Sequence, residues 1–415
     1  MDFTPSPRSQ ELIAALTQFS NDEVRPAIAT INAELAADPS PHADDCATLR
    51  ALRERAQSLG LWNFFMRDTR FGPGLSVSDY APLWELMGRV PHLAAITNCA
   101  APHTGNMELL AEFGTPEQQE RWLQPLLDGT IRSCFSMTEP WVASSDGANM
   151  ESTIVEDGDD YIVNAHKWWS TGGMSPRCEI AIVMAVIAPD APRHLRHSMI
   201  LVPLDTPGVT VVRALSIFGS IAGESDAEIL FDKVRVPKSN LISTPGSGFA
   251  IAQARLGPGR IHHCMRAIGA AEYALELMSS RAQLRIAFGS HLADHGMAME
   301  AVALSRIEIN QARLLVQHAA WMIDTVGAKS ARTEIAAIKV AAARMACTVI
   351  DRAIQIFGAA GVSQDVPLAE LYANARTLRL VDGPDEVHLR QIARAELRKY
   401  EGLRPSANTP LPPAN

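Results

Sequence analysis

Two long helical stretches enclose a central block of the opposite periodicity, and that interruption restricts the chain to a multidomain α–β–α plan. From Gln10 to about Arg132, segments such as QELIAALTQFSNDEV and DDCATLRALRERAQSLGL repeat apolar residues three and four apart, punctuated by Pro and Gly. The texture changes at Phe135. Between Glu151 and Asn240 follow STIVEDGDDYIVN, EIAIVMAVI, HSMILVPL, GVTVV and EILFDKVRV, whose alternating or β-branched runs and turn-rich DGDD predict antiparallel strands. Helical periodicity returns after Gly248 and lasts to about Tyr400. In RTEIAAIKVAAARMACTVIDRAIQIFG, Ile335, Ile338, Ala342, Met345 and Val349 share one face, and Gly358 supplies a stop. The expected fold class is therefore α+β and multidomain: an N-terminal helical domain at 1–132, a β domain at 133–245, a C-terminal helical bundle at 246–402 and a Pro-rich tail at 403–415.

A length of 415 residues suits two or three cores, and 47% hydrophobic with 20% charged residues describes an ordinary globular chain rather than a disordered one. The formal net charge of -9 disfavours nucleic acid and anionic membrane surfaces as general partners, while leaving room for a local basic pocket. The six cysteines lie far apart and form no CxxC pair, so reduced, packed thiols are expected. His262-His263-Cys264 is the one tempting metal cluster; neighbouring histidines on a helix are expected to point apart, and no metal is expected there. The N-terminal MDFTPSPRSQELIAALTQF lacks the features of a signal or transit peptide, and the longest apolar run, Ile180 to Ala188, is less than half a membrane span. A cytoplasmic protein without a membrane span is the expectation.

Four stretches carry groups suited to chemistry. CFSMTEPWVASSDGANMES, Cys134 to Ser152, offers short hydroxyls and accessible backbone N–H groups that suit a phosphate or a polar ring edge, and equally describes a capped loop between domains. In NAHKWWSTGG, Trp168 and Trp169 are expected on opposite faces of a strand end, one presenting a flat wall to a planar ligand, with Thr171 as a hydroxyl donor. An aromatic strand pair before a turn explains the same residues. RAQLRIAFGSHL places Arg285 and Phe288 after a long helix, as a phosphate partner and a stacking ring or as plain surface residues. LVDGPDEVH, Leu380 to His388, breaks a helical region; Gly383-Pro384 starts a new helix and Asp385 and Glu386 suit its first turn. Nothing in that break requires Asp382.

The order of these motifs resembles the acyl-CoA dehydrogenase family over roughly Gln10 to Tyr400. The resemblance rests on Thr138-Glu139-Pro140 followed by Ser145-Asp146, on Lys167, Trp169 and Thr171, on Arg285 to Gly289, on Gln355 to Gly361, and on an acidic residue before Gly some twenty positions later. It implies a helical domain, an antiparallel β domain and a four-helix bundle, in a homo-oligomer, usually a tetramer. It implies FAD as cofactor: Phe135, Met137, Thr138, Trp169 and Thr171 would line the isoalloxazine, with Thr171 near N5 and Ser145 near the pyrophosphate. Arg285, Phe288, Gln355 and Gly358 would hold the adenine half from a neighbouring subunit.

The implied reaction is that of fatty-acid β-oxidation: Asp382 takes the α-proton of an acyl-CoA, the β-hydride goes to flavin, and an electron-transfer flavoprotein receives the electrons. Arg260 matches a family Arg near the base, and Gly383 would meet the substrate. Most relatives carry Glu where this chain has Asp382, which is shorter by one CH2, and Gly259 stands where some members supply their base. Ala287 and Gly296 replace a hydroxyl and an amide that assist FAD binding elsewhere. The Asp form resembles a branch whose larger relatives carry kinase-like domains and act on long-chain, 2-methyl-branched or 4-hydroxy acyl-CoAs. Two other functions fit the same fold: a flavin oxidase of a small carbon acid such as a nitroalkane, and a flavin-bound scaffold without catalysis.

Overall fold

The computed structural model describes residues 3–40, 42–219 and 226–401, and the expected tail at 403–415 lies outside them. Its N-terminal part is helical: α1 (Pro7–Phe19), α2 (Arg25–Ala37), α3 (Ala47–Ser58), α4 (Val77–Arg89), α5 (Leu93–Ile96), α6 (His103–Phe113), α7 (Pro116–Gln118) and α8 (Gln124–Asp128). Starts are capped as the sequence suggests: the Ser6 hydroxyl accepts from Ser9 N–H, and Thr115 with Gln118 forms a capping box.

An eight-stranded sheet follows, made of β1 (Arg132–Ser136), β2 (Thr153–Asp157), β3 (Asp160–Thr171), β4 (Cys178–Val186), β5 (His197–Pro203), β6 (Val209–Leu215), β7 (Asp226–Pro237) and β8 (Leu241–Ile242). Its order is β6-β7-β3-β2-β4-β5-β8, with β1 joined to β4. The expected antiparallel sheet is corrected to a mixed one, because β1 and β2 both pair with β4 in parallel. The reason is that β1 arrives directly from the helical part and returns to the sheet only after the long loop 137–152, a crossover that a tight hairpin does not need. β4 explains its own unbroken apolar run. Ile180, Ile182 and Met184 face the helical core while Ala181, Val183 and Ala185 face a second core within the sheet region, so both faces are dry.

The C-terminal part holds α9 (Gly248–Leu284), a short hairpin of β9 (Ile286–Ala287) and β10 (Ser290–His291), then α10 (Gly296–Val326), α11 (Arg332–Phe357), α12 (Leu368–Thr377) and α13 (Asp385–Arg398). In α11 the expected stripe Ile335, Ile338, Ala342, Met345 and Val349 is buried, and Gly358 ends the helix at φ 65°. The core of this part is continuous with that of the N-terminal helices. α4 and α9 cross so closely that a Cβ on Gly88 or Gly269 would collide with the opposing backbone. That crossing sets α9 against Trp84 and Tyr80, where the candidate site begins.

Candidate active site

The turn that interrupts the C-terminal helices is held at three points. At its start, the buried Lys339 ammonium of α11 donates to the Leu378 carbonyl. At its end, the Asp385 carboxylate is buried and accepts from Arg344 Nε at 2.9 Å and Arg379 Nε at 3.0 Å, while its own N–H donates to the Arg379 carbonyl. In between, the Asp382 carbonyl accepts from Arg260 Nε at 3.3 Å, Arg260 Nη2 at 3.2 Å and His388 Nε2 at 3.2 Å. Asp382 itself sits at φ 54°, a left-handed backbone that a residue with a side chain adopts at a cost of roughly 1–3 kcal/mol unless its surroundings enforce it. The three donors on its carbonyl enforce it. Its side chain is only 17% exposed, and Oδ2 lies 3.3 Å from His263 Nε2.

The buried cations shape the local electrostatics. Burial lowers the Lys339 ammonium below its ordinary range, against the opposing pull of the Asp382 and Asp385 carboxylates. Burial, with Arg260 and Lys339 close by, pushes His388 down to about 4, so the ring is neutral near pH 7 and its single N–H, on Nε2, is the one given to Asp382. Burial likewise raises Cys264 to about 12, which leaves a protonated thiol beside the turn.

His388 therefore links proton uptake to unfolding. Its unfolded form titrates near the ordinary 6.5 and its folded form near 4, so acid protonates the unfolded chain first. The contribution is complete above pH 6.5 and is lost as pH falls through about 4. Urea midpoints measured between those limits are expected to drop more steeply for the native chain than for His388→Gln; equal slopes would exclude the linkage.

Gly383 follows at φ 96°, and a Cβ there would stand 3.1 Å from His388 Nε2. Gly383→Ala is expected to cost about 1 kcal/mol or more of stability, measured by urea unfolding, and to slow turnover more than the parallel change at exposed Gly60. Asp385 adds a part that the sequence assigned only to a helix dipole: it is an ion-paired anchor rather than a solvated first-turn acid.

A cleft opens on the other side of α9. Phe65, Leu75, Tyr80, Trp84, Thr104 and Glu108 face Gly259, Ile261 and His262 across it. The end of the sheet approaches from below, because His103 Nδ1 accepts from Ser133 N–H and Asn106 Nδ2 donates to Ser133 Oγ, tying α6 to β1. Trp84 and His262 rings stack at 3.2 Å, and His262 and His263 at 5.1 Å with 7° between planes. The expectation that adjacent histidines point apart is thereby corrected: the wall of Trp84 gives His262 a surface to lie on, and His263 continues the stack.

The sequence candidates on the sheet come together at the ends of β1 and β3. Phe135 and Met137 are two apart and share one half-buried face. Thr138 Oγ1 donates to the Trp168 carbonyl at 2.6 Å, and Trp168 N–H donates to the Thr138 carbonyl at 3.1 Å. Thr171 Oγ1 donates to Asp226, whose carboxyl burial raises.

Trp168 and Trp169 do not take opposite faces. A bulge between Lys167 and Ser170 turns Trp169 to φ 53°, leaving the rings 6.2 Å apart and Trp169 41% exposed. Under this edge Lys167, fully buried, donates to Glu139 Oε1 at 2.8 Å and the Met137 carbonyl at 2.9 Å, while Glu139 also accepts from Glu151 and Ser152 N–H. Burial lowers Lys167 to about 8 despite the Glu139 charge; at Glu139 burial pushes upward, and Lys167 with the two N–H groups outweighs it. Ser144 rather than Ser145 locks the loop, accepting from Glu139 N–H at 2.9 Å; Ser145 is exposed.

Arg285, Phe288, Gln355 and Gly358 lie at a second place, where α9 and α11 end and Arg281 covers the Phe357 ring at 5.4 Å. All four are exposed. Phe288-Gly289 forms the tip of the β9–β10 hairpin, both residues having positive φ, and the Phe288 ring is fully exposed. His263, His388, Lys339, Asp385, Trp84 and Asp226 were not among the sequence candidates. The three-residue step from Arg260 to His263 on one helix face was the legible signal for the first.

Three family models cover this architecture in order: Acyl-CoA dehydrogenase, N-terminal domain, at residues 6–130; Acyl-CoA dehydrogenase, middle domain, at 134–234; and Acyl-CoA dehydrogenase, C-terminal domain, at 246–397. The chain belongs to the acyl-CoA dehydrogenase family. It is 52% identical over 411 residues to "Probable acyl-CoA dehydrogenase FadE2" of Mycobacterium tuberculosis, covering 99% of this chain and 100% of that protein. It is 48% identical to mouse "Acyl-CoA dehydrogenase family member 10" across 97% of its own length but spans only 38% of that longer protein. A solved putative acyl-CoA dehydrogenase from Mycobacterium abscessus matches with a TM-score of 0.92 at 50% identity, covering 96% of this chain and all of that one. No helix among the described residues is long and apolar enough to cross a membrane.

Proposed function

We propose that the chain dehydrogenates an acyl-CoA thioester to the trans-2-enoyl-CoA, with Asp382 as the base that removes the α-proton. The observation that carries this reading is the Asp382 turn: a half-buried carboxylate on a strained backbone, with its carbonyl clamped by Arg260 and His388. An α C–H next to a thioester is weakly acidic, so its removal needs an oriented base and little water. Gly383 lets the chain pass close to the substrate without a side chain in the way.

The edge formed by Phe135, Met137, Thr138, Trp169 and Thr171 fits a planar ring with an apolar face and polar rim, because it offers one open aromatic face, two half-buried apolar side chains and two hydroxyls. These residues would hold FAD, which when bound would supply the acceptor for the β-hydride, with an electron-transfer flavoprotein as the onward electron acceptor. Ser145 would meet the FAD pyrophosphate. Arg285, Phe288, Gln355 and Gly358 would reach the adenine half from a second subunit, which accounts for a phenylalanine with no cover in one chain. The outer face of α10 supports a homo-oligomer too: Met297, Leu304, Ile307 and Leu314 recur there, all exposed, at steps of seven and three.

An anaerobic titration of the flavin-loaded protein with a panel of acyl-CoAs, followed by flavin absorbance, tests the reading. Bleaching by at least one acyl-CoA is expected. Bleaching by nitroalkanes alone, or by neither class, would replace it with the oxidase or the scaffold.

A further inference from the structure

We propose that Asp226 sets the direction of the Thr171 hydroxyl, so that its oxygen meets a flavin at this sheet edge as a hydrogen-bond acceptor and favours the reduced flavin over the oxidised one. The proposal rests on the reading of that edge as the flavin site. Asp226 acts through Thr171, as a positioning residue.

Asp226 and Thr171 face each other across β7 and β3, and on its other side Asp226 is in register with Leu215 of β6, so strands flank the acid on both sides. Thr171 is held as firmly. The bulge lies just before it, and Gly172 follows at φ 82°, where a Cβ would stand 3.1 Å from the Ser133 carbonyl. Between these two fixed positions Thr171 Oγ1 donates to Asp226 Oδ1. A threonine hydroxyl has one proton and an ionised carboxylate only accepts, so the direction of the bond is set and Oγ1 keeps acceptor character alone for a ligand.

Asp226 is paired differently from its neighbour. Glu228, two residues along the same strand, is matched by His166 Nε2 at 2.8 Å and Arg213 Nε at 2.7 Å. Asp226 receives a neutral hydroxyl instead; burial raises its carboxyl, and the Thr171 bond opposes the rise. A half-buried carboxylate held by a neutral donor costs stability that an uncharged side chain there would not. Thr138, the second hydroxyl of the edge, is bound in the same sense, since it donates to the Trp168 carbonyl at 2.6 Å. Both hydroxyls thus give their proton to the protein.

In an isoalloxazine the ring nitrogen that accepts the hydride is a hydrogen-bond acceptor when oxidised and bears hydrogen when reduced. An oxygen without a proton to offer opposes the first form and bonds the second. The Asp226 charge acts in the contrary sense, because it disfavours a reduced ring that carries negative charge.

A double-mutant cycle separates the two effects, read as the anaerobic two-electron reduction potential of the FAD-loaded protein. Asp226→Ala is made in the native chain and in Thr171→Val; loss of the charge contributes equally to both, and the hydroxyl contributes only where Thr171 is present. The shift in the native background should be the more negative by roughly tenfold in the reduced-to-oxidised ratio, about 30 mV for a two-electron couple. Asp226→Leu, closer in volume and equally unable to accept, should give the same coupling. Thr171→Ser keeps a hydroxyl and should keep the native sensitivity to Asp226→Ala. Equal or reversed shifts in the two backgrounds, with FAD still bound, overturn the role of Asp226 and leave the flavin reading standing. A native chain that binds no FAD removes that reading, and this role with it.

Discussion

Asp382→Asn is expected to leave a folded, flavin-loaded protein whose reduction by acyl-CoA is slower by on the order of 10³-fold, because the amide keeps the shape of the turn and cannot accept a proton. The backbone clamp should survive the change. Arg260 and His388 both donate to the Asp382 carbonyl, and those hydrogen bonds are kept, while the buried Arg260 loses the nearby carboxylate charge. Asn also tolerates the left-handed φ of 54° as well as Asp does. Rate and stability should thus separate: the urea midpoint stays close to native while the bleaching rate collapses. A variant that both unfolds and loses activity would mean that the carboxylate supports the fold, and a variant that keeps its rate would remove Asp382 from the chemistry.

Glu139→Ala is expected to cost about 3–5 kcal/mol, measured by urea unfolding, and to lower retained flavin. Lys167 is buried with Glu139 as its counter-charge and the Met137 carbonyl as its second acceptor, so removing the carboxylate strands an ammonium away from water. The same carboxylate accepts the Glu151 and Ser152 N–H groups, and those close the loop that follows Thr138. Replacing both charges, Glu139→Gln with Lys167→Met, should recover much of the stability because no unpaired charge then remains. A single variant within about 1 kcal/mol of native would show that the pair is not what holds this loop.

Much of the architecture was legible because it rests on periodicity. The α11 stripe and its Gly358 stop, the strands on either side of DGDD and the helix start after Pro384 follow from local pattern and turn chemistry. The parallel pairing of β1 was not legible, since strand direction depends on where a chain returns after a long loop. Nor was the bulge at Trp169, which needs an extra residue against β7 that neither strand reveals alone.

Asp382 and Arg260 were singled out from motif order, whereas the contact between them, a guanidinium on the Asp382 carbonyl, depends on a backbone angle. Lys339 and Asp385 were unreadable for another reason. A lysine in an apolar helix and an acid in a first turn each have an ordinary local explanation, and only the fold brings them to the two ends of one turn. The FAD candidates fall at two separate places in the chain, a division that a linear motif list cannot express.

A crystal structure of the flavin-loaded protein with an acyl-CoA whose β-carbon is replaced by sulfur, and which therefore binds without reacting, tests the central claim most directly. The account predicts one Asp382 oxygen within about 3–3.5 Å of the thioester α-carbon, on the side away from the flavin ring, with the ring against Trp169 and Thr171. An α-carbon lying against another acid, or an Asp382 carboxylate turned away from the ligand, would contradict it.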